Sequence, residues 1–247
     1  MYEKKYVSFK FKLIRMSKRL LLALGMFCAL AAVAQRSTEY PVKAGEIPDK
    51  ALPLEARYVL PAFQEGTAMF KNKTSNTRLF NFNILLNEMH FISDSGDTLA
   101  IAEPGMLDFV KIDSLYFYYD NMYLQKIEIH NDFKLAKKQG MVQLLDKKKG
   151  AYDMSTGTSS IDAYQMVVTD NSQLYKLEVK KDLLFKKLES LYIGDKYNRF
   201  LKASRKAFNT YFDERKVSAY LKSNKVNFND GKGVKELFEY CAMNTDR

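Results

Sequence analysis

Residues 80–86 read Phe-Asn-Phe-Asn-Ile-Leu-Leu, and this short stretch decides the expected fold. Its apolar side chains alternate with Asn81 and Asn83, which is typical of a β-strand with one strongly apolar face. Ser-Asp-Ser-Gly-Asp follows at 93–97, a composition that favours a hairpin loop with a glycine available for positive φ. Residues 98–102 are apolar again. The stretch therefore predicts an antiparallel β-hairpin.

Short apolar runs of the same kind continue towards the C-terminus. Turn-forming pairs such as Asp120-Asn121 separate them about every ten residues. The predicted strands lie at 109–112, 115–119, 123–129, 141–145, 165–168 and 174–179. This spacing predicts an antiparallel β meander or sandwich-like body over residues 56–195.

The apolar period changes in the C-terminal part of the chain. Residues 197–212 and 217–221 carry apolar side chains at helical spacing. Asp230 offers an N-cap oxygen for a third helix over 232–241. We therefore expect a bundle of about three short helices over residues 196–247, and the order of strands first and helices last is the α+β pattern.

The first 34 residues have the three parts of a secretory signal peptide. Seven lysines and arginines against one glutamate lead into an apolar run over residues 20–34, shorter than the roughly 20 residues that a membrane-spanning helix needs. The run ends in Ala-Val-Ala, which predicts cleavage between Ala34 and Gln35. Residues 35–55 mix prolines, charges and small residues without a period, and this predicts a flexible leader.

Removal of the predicted signal peptide would remove most of the net positive charge. The chain carries +10, and residues 1–34 hold +6 of it, so the mature part keeps only +4. This balance lacks the basic footprint of a nucleic-acid-binding protein. Whether Met1 or Met16 is the start remains open on the sequence alone. We expect a mature chain without a transmembrane span, located in the periplasm or at the outer membrane.

Motifs for cofactors and metals are missing from the sequence. It has no Gly-x-Gly-x-x-Gly, Walker loop, Cys-x-x-Cys or His-Glu-x-x-His pattern. Cys241 is the one cysteine after the signal peptide and lies on an apolar helical stripe, so we expect a buried core thiol. We therefore expect no cofactor and no internal disulfide.

The densest aromatic cluster is the candidate interaction surface. It comprises Tyr116, Tyr118, Tyr119 and Tyr123. On a strand, Tyr116 and Tyr118 share one face and Tyr119 lies on the other. One face is expected in the core, which leaves the other as a platform for a partner or ligand.

Glu88 and His90 form the one candidate catalytic pair. Side chains two residues apart on a strand point to the same face, so a carboxylate lies beside an imidazole. This pair suits a general base and its orienting group, or two metal ligands. The alternative is a half-exposed polar face of the strand, and no nucleophile is identified by the sequence.

Several segments resemble a family of exported Bacteroidetes proteins of unknown function. They lie at 60–66, 81–92, 96–100, 108–112, 116–117 and 150–152. The resemblance covers roughly residues 56–195 and implies a β-rich body and a location in the cell envelope. It supplies no catalytic residues.

These observations favour an exported, non-catalytic cell-envelope protein that acts through contacts with a protein or polymer. One alternative is a binding module that takes a glycan or small ligand on the tyrosine cluster. A second alternative is a hydrolase that uses Glu88 and His90.

Overall fold

The structure is a computed structural model that describes residues 39–144 and 175–244. The predicted signal peptide, its cleavage point between Ala34 and Gln35 and the predicted strand at 165–168 lie outside the described residues.

The described part of the chain has the predicted α+β architecture. Its strands are β1 (Glu39–Val42), β2 (Gln64–Phe70), β3 (Ser75–Asn83), β4 (Glu88–Ile92), β5 (Thr98–Ala100), β6 (Leu107–Ile112), β7 (Leu115–Tyr119), β8 (Tyr123–His130), β9 (Phe133–Leu144), β10 (Leu183–Gly194) and β11 (Phe200–Lys202). Its α-helices are α1 (Pro48–Ala51), α2 (Leu54–Arg57), α3 (Arg205–Tyr211), α4 (Glu214–Ser223) and α5 (Gly231–Met243). A short 3-10 helix, Pro104–Met106, leads into β6.

All the strands join one antiparallel sheet in the order β1-β10-β9-β8-β7-β6-β2-β3-β4-β5, with β11 also beside β10. Strands β6 to β10 are neighbours in chain order, and so are β2 to β5. The predicted meander is therefore confirmed as two runs joined by the β2–β6 pair. At that junction the backbones come close, because a Cβ on Gly66 would lie 2.6 Å from the carbonyl oxygen of Lys111.

The sheet folds over so that its two ends share a core. Val42, Met141 and Phe185 come from β1, β9 and β10 at one end of the strand order, and Phe80 and Phe82 come from β3 near the other end. All five belong to one cluster of buried side chains. A single sheet thereby produces the sandwich-like interior that the sequence predicts, since each end covers the apolar face of the other.

The leader predicted at 35–55 is ordered from residue 39 onward, which corrects that prediction. Residues Glu39–Val42 pair with β10, and α1 and α2 follow. Val42, Leu52 and Ala56 are buried in the main core. The sequence does not indicate these contacts, because the apolar residues that lie between the prolines and the charged residues follow no single period.

The C-terminal helices are predicted well, except for the start of the first. Helix α4 and helix α5 form as expected, and Asp230 caps α5 by accepting hydrogen bonds from Lys232 N and Gly233 N. The prediction of a helix over residues 197–204 is wrong. They form a turn and β11, and α3 begins only after Ser204, whose hydroxyl caps it by accepting from Ala207 N.

The strand predicted at 174–179 is also wrong over its described residues. Residues 175–182 contain no strand, and β10 begins at Leu183. Val179 instead exchanges backbone hydrogen bonds with Gly45 and Glu46, at 2.8 and 2.9 Å. The backbone groups that a strand would direct to the sheet are therefore used by the turn after β1.

The helices pack on the sheet through a second core cluster. It joins Leu135 of β9 and Ile193 of β10 to Phe208, Val217 and Phe238 of the three C-terminal helices. Residues 39–144 and 175–244 belong to one compact unit. Cys241 lies inside this cluster, as predicted, and burial raises the pKa of its thiol to about 11.

Candidate functional site

Glu88 and His90 do lie side by side on β4, as the sequence predicts. The His90 Nε2 atom is 2.9 Å from Glu88 Oε2, and the His90 Nδ1 atom is 2.9 Å from the Tyr58 hydroxyl. Tyr58 and His90 are buried, and burial raises the pKa of Tyr58. Lys176 Nζ lies 3.5 Å from Glu88 Oε1.

This arrangement is a structural chain of hydrogen bonds and is not that of a base beside a nucleophile. A neutral imidazole with its proton on Nε2 donates to Glu88 and accepts from Tyr58, so both ring nitrogens are used. A hydrolytic His needs one nitrogen directed at a Ser, Cys or water nucleophile. The geometry of the pair therefore gives no support to the hydrolase hypothesis.

The Glu88 contacts make the stability of the protein depend on pH. The hydrogen bond from His90, followed by the charge of Lys176, lowers the pKa of Glu88. A carboxylate with a lowered pKa stabilises the fold above its unfolded-state pKa, and this contribution is lost as the pH falls through the folded-state pKa. We expect Glu88→Gln to lower the free energy of unfolding at pH 7 by about 1.5 kcal/mol.

Urea unfolding followed by circular dichroism between pH 7 and pH 3 measures this effect. The difference between wild type and Glu88→Gln should begin to shrink as the pH falls below about 4.5, where the unfolded chain takes up the proton, and should be lost once the pH is below the lowered folded-state pKa of Glu88, where both side chains are uncharged. Glu236→Gln is the control, because Glu236 is exposed and its nearest lysine is 4.0 Å away. A difference in the free energy of unfolding that stays constant across the whole pH range would contradict a lowered pKa of Glu88.

The four predicted tyrosines do not form one surface. Strand alternation separates them as expected: Tyr119 and Tyr123 face the main core, whereas Tyr116 and Tyr118 face outward. Tyr118 is nevertheless only 6% exposed, because the Phe200 ring stacks on it with centroids 5.9 Å apart. Burial raises its pKa to about 12. Of the two outward tyrosines, only Tyr116 remains accessible.

Tyr116 lies between two lysines on the outer face. Lys126 Nζ is 3.9 Å from the centroid of its ring and Lys111 Nζ is 5.6 Å from it. The Phe109 ring packs beside it at 5.5 Å. Neither lysine lies within salt-bridge distance of a carboxylate among the described residues. We call Phe109, Lys111, Tyr116 and Lys126 the outer patch.

A cleft opens at a break in the sheet. Pairing of β8 with β9 ends at Gln125 and Lys137, whereas pairing of β9 with β10 continues to Leu144 and Leu184. Residues 138–144 therefore have a strand neighbour on one side only, among the described residues. The cleft between this free edge, the β3–β4 turn and the tip of the β7–β8 hairpin has a volume of about 1010 Å³.

The walls of the cleft combine apolar and aromatic side chains with polar ones, among them Asn121, Gln139 and Asn229. Its apolar side chains include Ile84, Leu85, Leu86, Met122, Met141 and Leu188, and its tyrosines are Tyr119, Tyr123, Tyr175 and Tyr192. The charged groups at the cleft are Glu88, Lys138, Glu189 and Lys202. The Glu88 carboxylate is already paired with His90 and Lys176. Such a mixture of apolar walls and a few polar groups is typical of small-molecule sites.

Sequence reasoning found two of the cleft tyrosines and missed most of the other walls. Asn87 and Asn121 take positive φ values of 55° in the turns that border the cleft, a conformation that asparagine accepts more readily than most residues. These asparagines were a usable signal for turns but not for a cleft. The cleft lies where β9 stops pairing with β8, which no local pattern encodes.

The described residues offer no centre for a metal. Within 39–144 and 175–244, no three His, Cys, Asp or Glu side chains come together in a group that could hold an ion. No helix in these same ranges is long and apolar enough to cross a membrane.

Comparisons with protein-family models, with curated proteins and with solved structures find no match for this chain. The resemblance to exported Bacteroidetes proteins therefore stays a prediction from the sequence. The cleft and the outer patch are the two features of the described residues that bear on function.

Proposed function

We propose that this is an exported, non-catalytic binding protein whose cleft holds a small amphipathic molecule. The observation that carries the proposal is the cleft of about 1010 Å³ with apolar and tyrosine walls. Ligand sites of drug-sized molecules occupy roughly 300–1,000 Å³, so the volume is sufficient. The signal-peptide pattern of residues 1–34 is the support for export to the cell envelope.

The buried apolar residues 84–86 at the cleft wall favour a ligand with an apolar body over a glycan. Both Glu88 oxygens have partners, and the apolar residues 84–86 are buried at the cleft wall. A glycan would need several directed hydrogen-bonding groups for its hydroxyls, since a buried hydroxyl left without a partner costs free energy. An alkyl or aryl body instead gains from every apolar area that it covers.

Titration with N-phenylnaphthylamine tests the proposed function. This uncharged probe becomes fluorescent in apolar sites, and we expect saturable binding of one molecule per chain that decanol reverses. The protein has no tryptophan, so no tryptophan fluorescence interferes with the signal of the probe. Weak, non-saturating fluorescence that decanol does not displace would contradict binding in a defined cleft.

The outer patch supports a second candidate function, contact with an anionic envelope polymer. Its two lysines have no carboxylate partner among the described residues, and their ammonium groups lie over the Tyr116 ring. An acidic polysaccharide would meet both lysine charges at this patch. This candidate retains the polymer-contact function that the sequence favours.

Binding to immobilised alginate tests the second candidate. We expect the double variant Lys111→Gln/Lys126→Gln to bind about fivefold more weakly at low salt, and the difference to fade above about 0.5 M salt as screening increases. The matched control is Lys222→Gln/Lys225→Gln, which removes two exposed lysines of the C-terminal region. An equal loss in both double variants would show attraction by net charge alone and would remove the outer patch as a site.

A further inference from the structure

The polar groups of the cleft narrow the chemistry of its ligand, and this inference rests on the proposed function. Tyr123 is 2% exposed and lines the cleft, yet its hydroxyl makes no hydrogen bond of normal geometry with the described residues. A long backbone hydrogen bond from Met89 N–H to the phenol oxygen lowers the pKa of Tyr123, whereas no described residue accepts the hydroxyl proton. The hydroxyl proton therefore has no acceptor in this part of the chain.

A second polar atom without a partner borders the same cleft. The side-chain oxygen Oδ1 of Asn87 is buried, and it accepts no hydrogen bond from the described residues. Asn87 directly precedes β4, and the neighbouring Glu88 is close enough to the Tyr123 hydroxyl to raise its pKa through charge. The two unpartnered groups therefore lie in one neighbourhood of the cleft.

Buried polar atoms in folded proteins nearly always have partners, so two exceptions that border one cleft need a cause. A bound molecule supplies one. The Tyr123 hydroxyl offers a donor and the Asn87 oxygen offers an acceptor. A ligand group that accepts from the first and donates to the second is a hydroxyl or a primary or secondary amide.

The charge of the neighbourhood excludes an anionic head group. Glu88 lies near Tyr123 and is ionised at neutral pH, because His90 and Lys176 lower its pKa. A ligand carboxylate placed at Tyr123 would be repelled by this charge. The Lys176 ammonium beside Glu88 is already paired with it and is not free for a ligand carboxylate.

We propose that the cleft binds an uncharged molecule with an apolar body and a hydroxyl or amide head, and that Tyr123 and Asn87 hold this head. The apolar residues 84–86 and Met141 cover the body. Long-chain alcohols and acyl amides have this chemistry, whereas fatty acids at neutral pH do not.

Displacement of N-phenylnaphthylamine by three decyl compounds tests the proposal. Decanol carries the hydroxyl head, bromodecane lacks a hydrogen-bonding head, and decanoate carries an anionic one. For the wild type we expect decanol to bind about fivefold more tightly than decanoate, because one hydrogen bond is gained and one repulsion avoided. Tighter binding of decanoate would overturn the proposal.

The variant Tyr123→Phe removes only the hydroxyl. We expect the affinity for decanol to fall about fivefold and the affinity for bromodecane to stay the same. The thermal midpoint should not fall, since the deleted group has no partner to lose. Tyr118→Phe is the control, because Tyr118 is similarly buried but does not line the cleft.

The outcomes separate the inference from the proposed function. If the wild type binds neither the probe nor decanol, the proposed function fails. If both bind and Tyr123→Phe leaves decanol unchanged, the function stands and the inference about the head group is wrong. If Tyr123→Phe weakened the binding of decanol and of bromodecane equally, Tyr123 would only support the wall of the cleft. This result would also overturn the inference.

Discussion

Replacing Gly140 with tryptophan is expected to abolish ligand binding while the protein stays folded. Gly140 lies on the free edge of β9 and borders the cleft, and a Cβ placed on it meets no atom within 4 Å. An indole at this position therefore has open space at the border of the cleft and does not enter the core. Aromatic residues are well tolerated on strands. We expect the affinity for N-phenylnaphthylamine to fall by about 100-fold or more, equivalent to at least ~2.7 kcal/mol.

Gly140→Ala is the matched control for this variant. It adds the same backbone restriction but only one methyl group, which has open space around it. We expect the alanine variant to bind the probe like the wild type and both variants to keep the wild-type circular dichroism spectrum. Full binding by a folded Gly140→Trp would show that the probe occupies another place.

Among the variants proposed for this protein, Phe82→Ala is expected to lower the free energy of unfolding most. The Phe82 side chain is 2% exposed, and its ring lies 5.4 Å from both the Phe117 ring and the Tyr123 ring. Deleting a buried aromatic ring removes its apolar burial and leaves a cavity, at a cost of about 3–5 kcal/mol. Urea unfolding at pH 7 followed by circular dichroism measures this cost.

Two further variants make the Phe82 result interpretable. Phe82→Leu keeps most of the apolar volume and should lose only about 1–2 kcal/mol, which gives a measurable transition even if the alanine variant is largely unfolded. Phe109→Ala removes a half-buried ring on the outer face, so its loss should be smaller than that of Phe82→Ala. A greater loss for Phe109→Ala would mean that the two faces of the sheet are assigned the wrong way round.

Local patterns predicted those elements whose burial follows one period. The alternation of Phe80 and Phe82 with asparagines identified β3, and the i, i+3, i+4 stripe that ends at Cys241 identified α5. The strand did not continue through residues 84–86, because these residues form a buried turn that borders the cleft. An apolar run does not reveal by itself whether it is buried as a strand or as a turn.

The wrong elements were determined by distant contacts. Tyr197, Phe200 and Leu201 happen to have helical spacing, but the Asp195 carboxylate accepts hydrogen bonds from the backbone of Tyr197 and Arg199 and closes a turn there. Phe200 then packs on Tyr118, eighty-two positions earlier in the chain. This one contact both interrupts the predicted helix and buries a predicted ligand-binding tyrosine.

The candidate site was predictable in part for the same reason. Strand alternation correctly placed Tyr119 opposite Tyr116 and Tyr118, and proximity in sequence correctly joined Glu88 to His90. The cleft itself depends on where β9 stops pairing with β8. Gly140 can be assigned to this free edge only once the pairing register of β9 is known.

Methyl NMR of the methionines tests whether a ligand binds in the cleft. Met122 and Met141 line the cleft, whereas Met106 and Met243 are exposed elsewhere. When decanol is added to protein labelled at its methionine methyl groups, we expect saturable shifts of the Met122 and Met141 signals and constant signals from Met106 and Met243. Constant signals from both cleft methionines, or shifts confined to the exposed ones, would contradict ligand binding in the cleft.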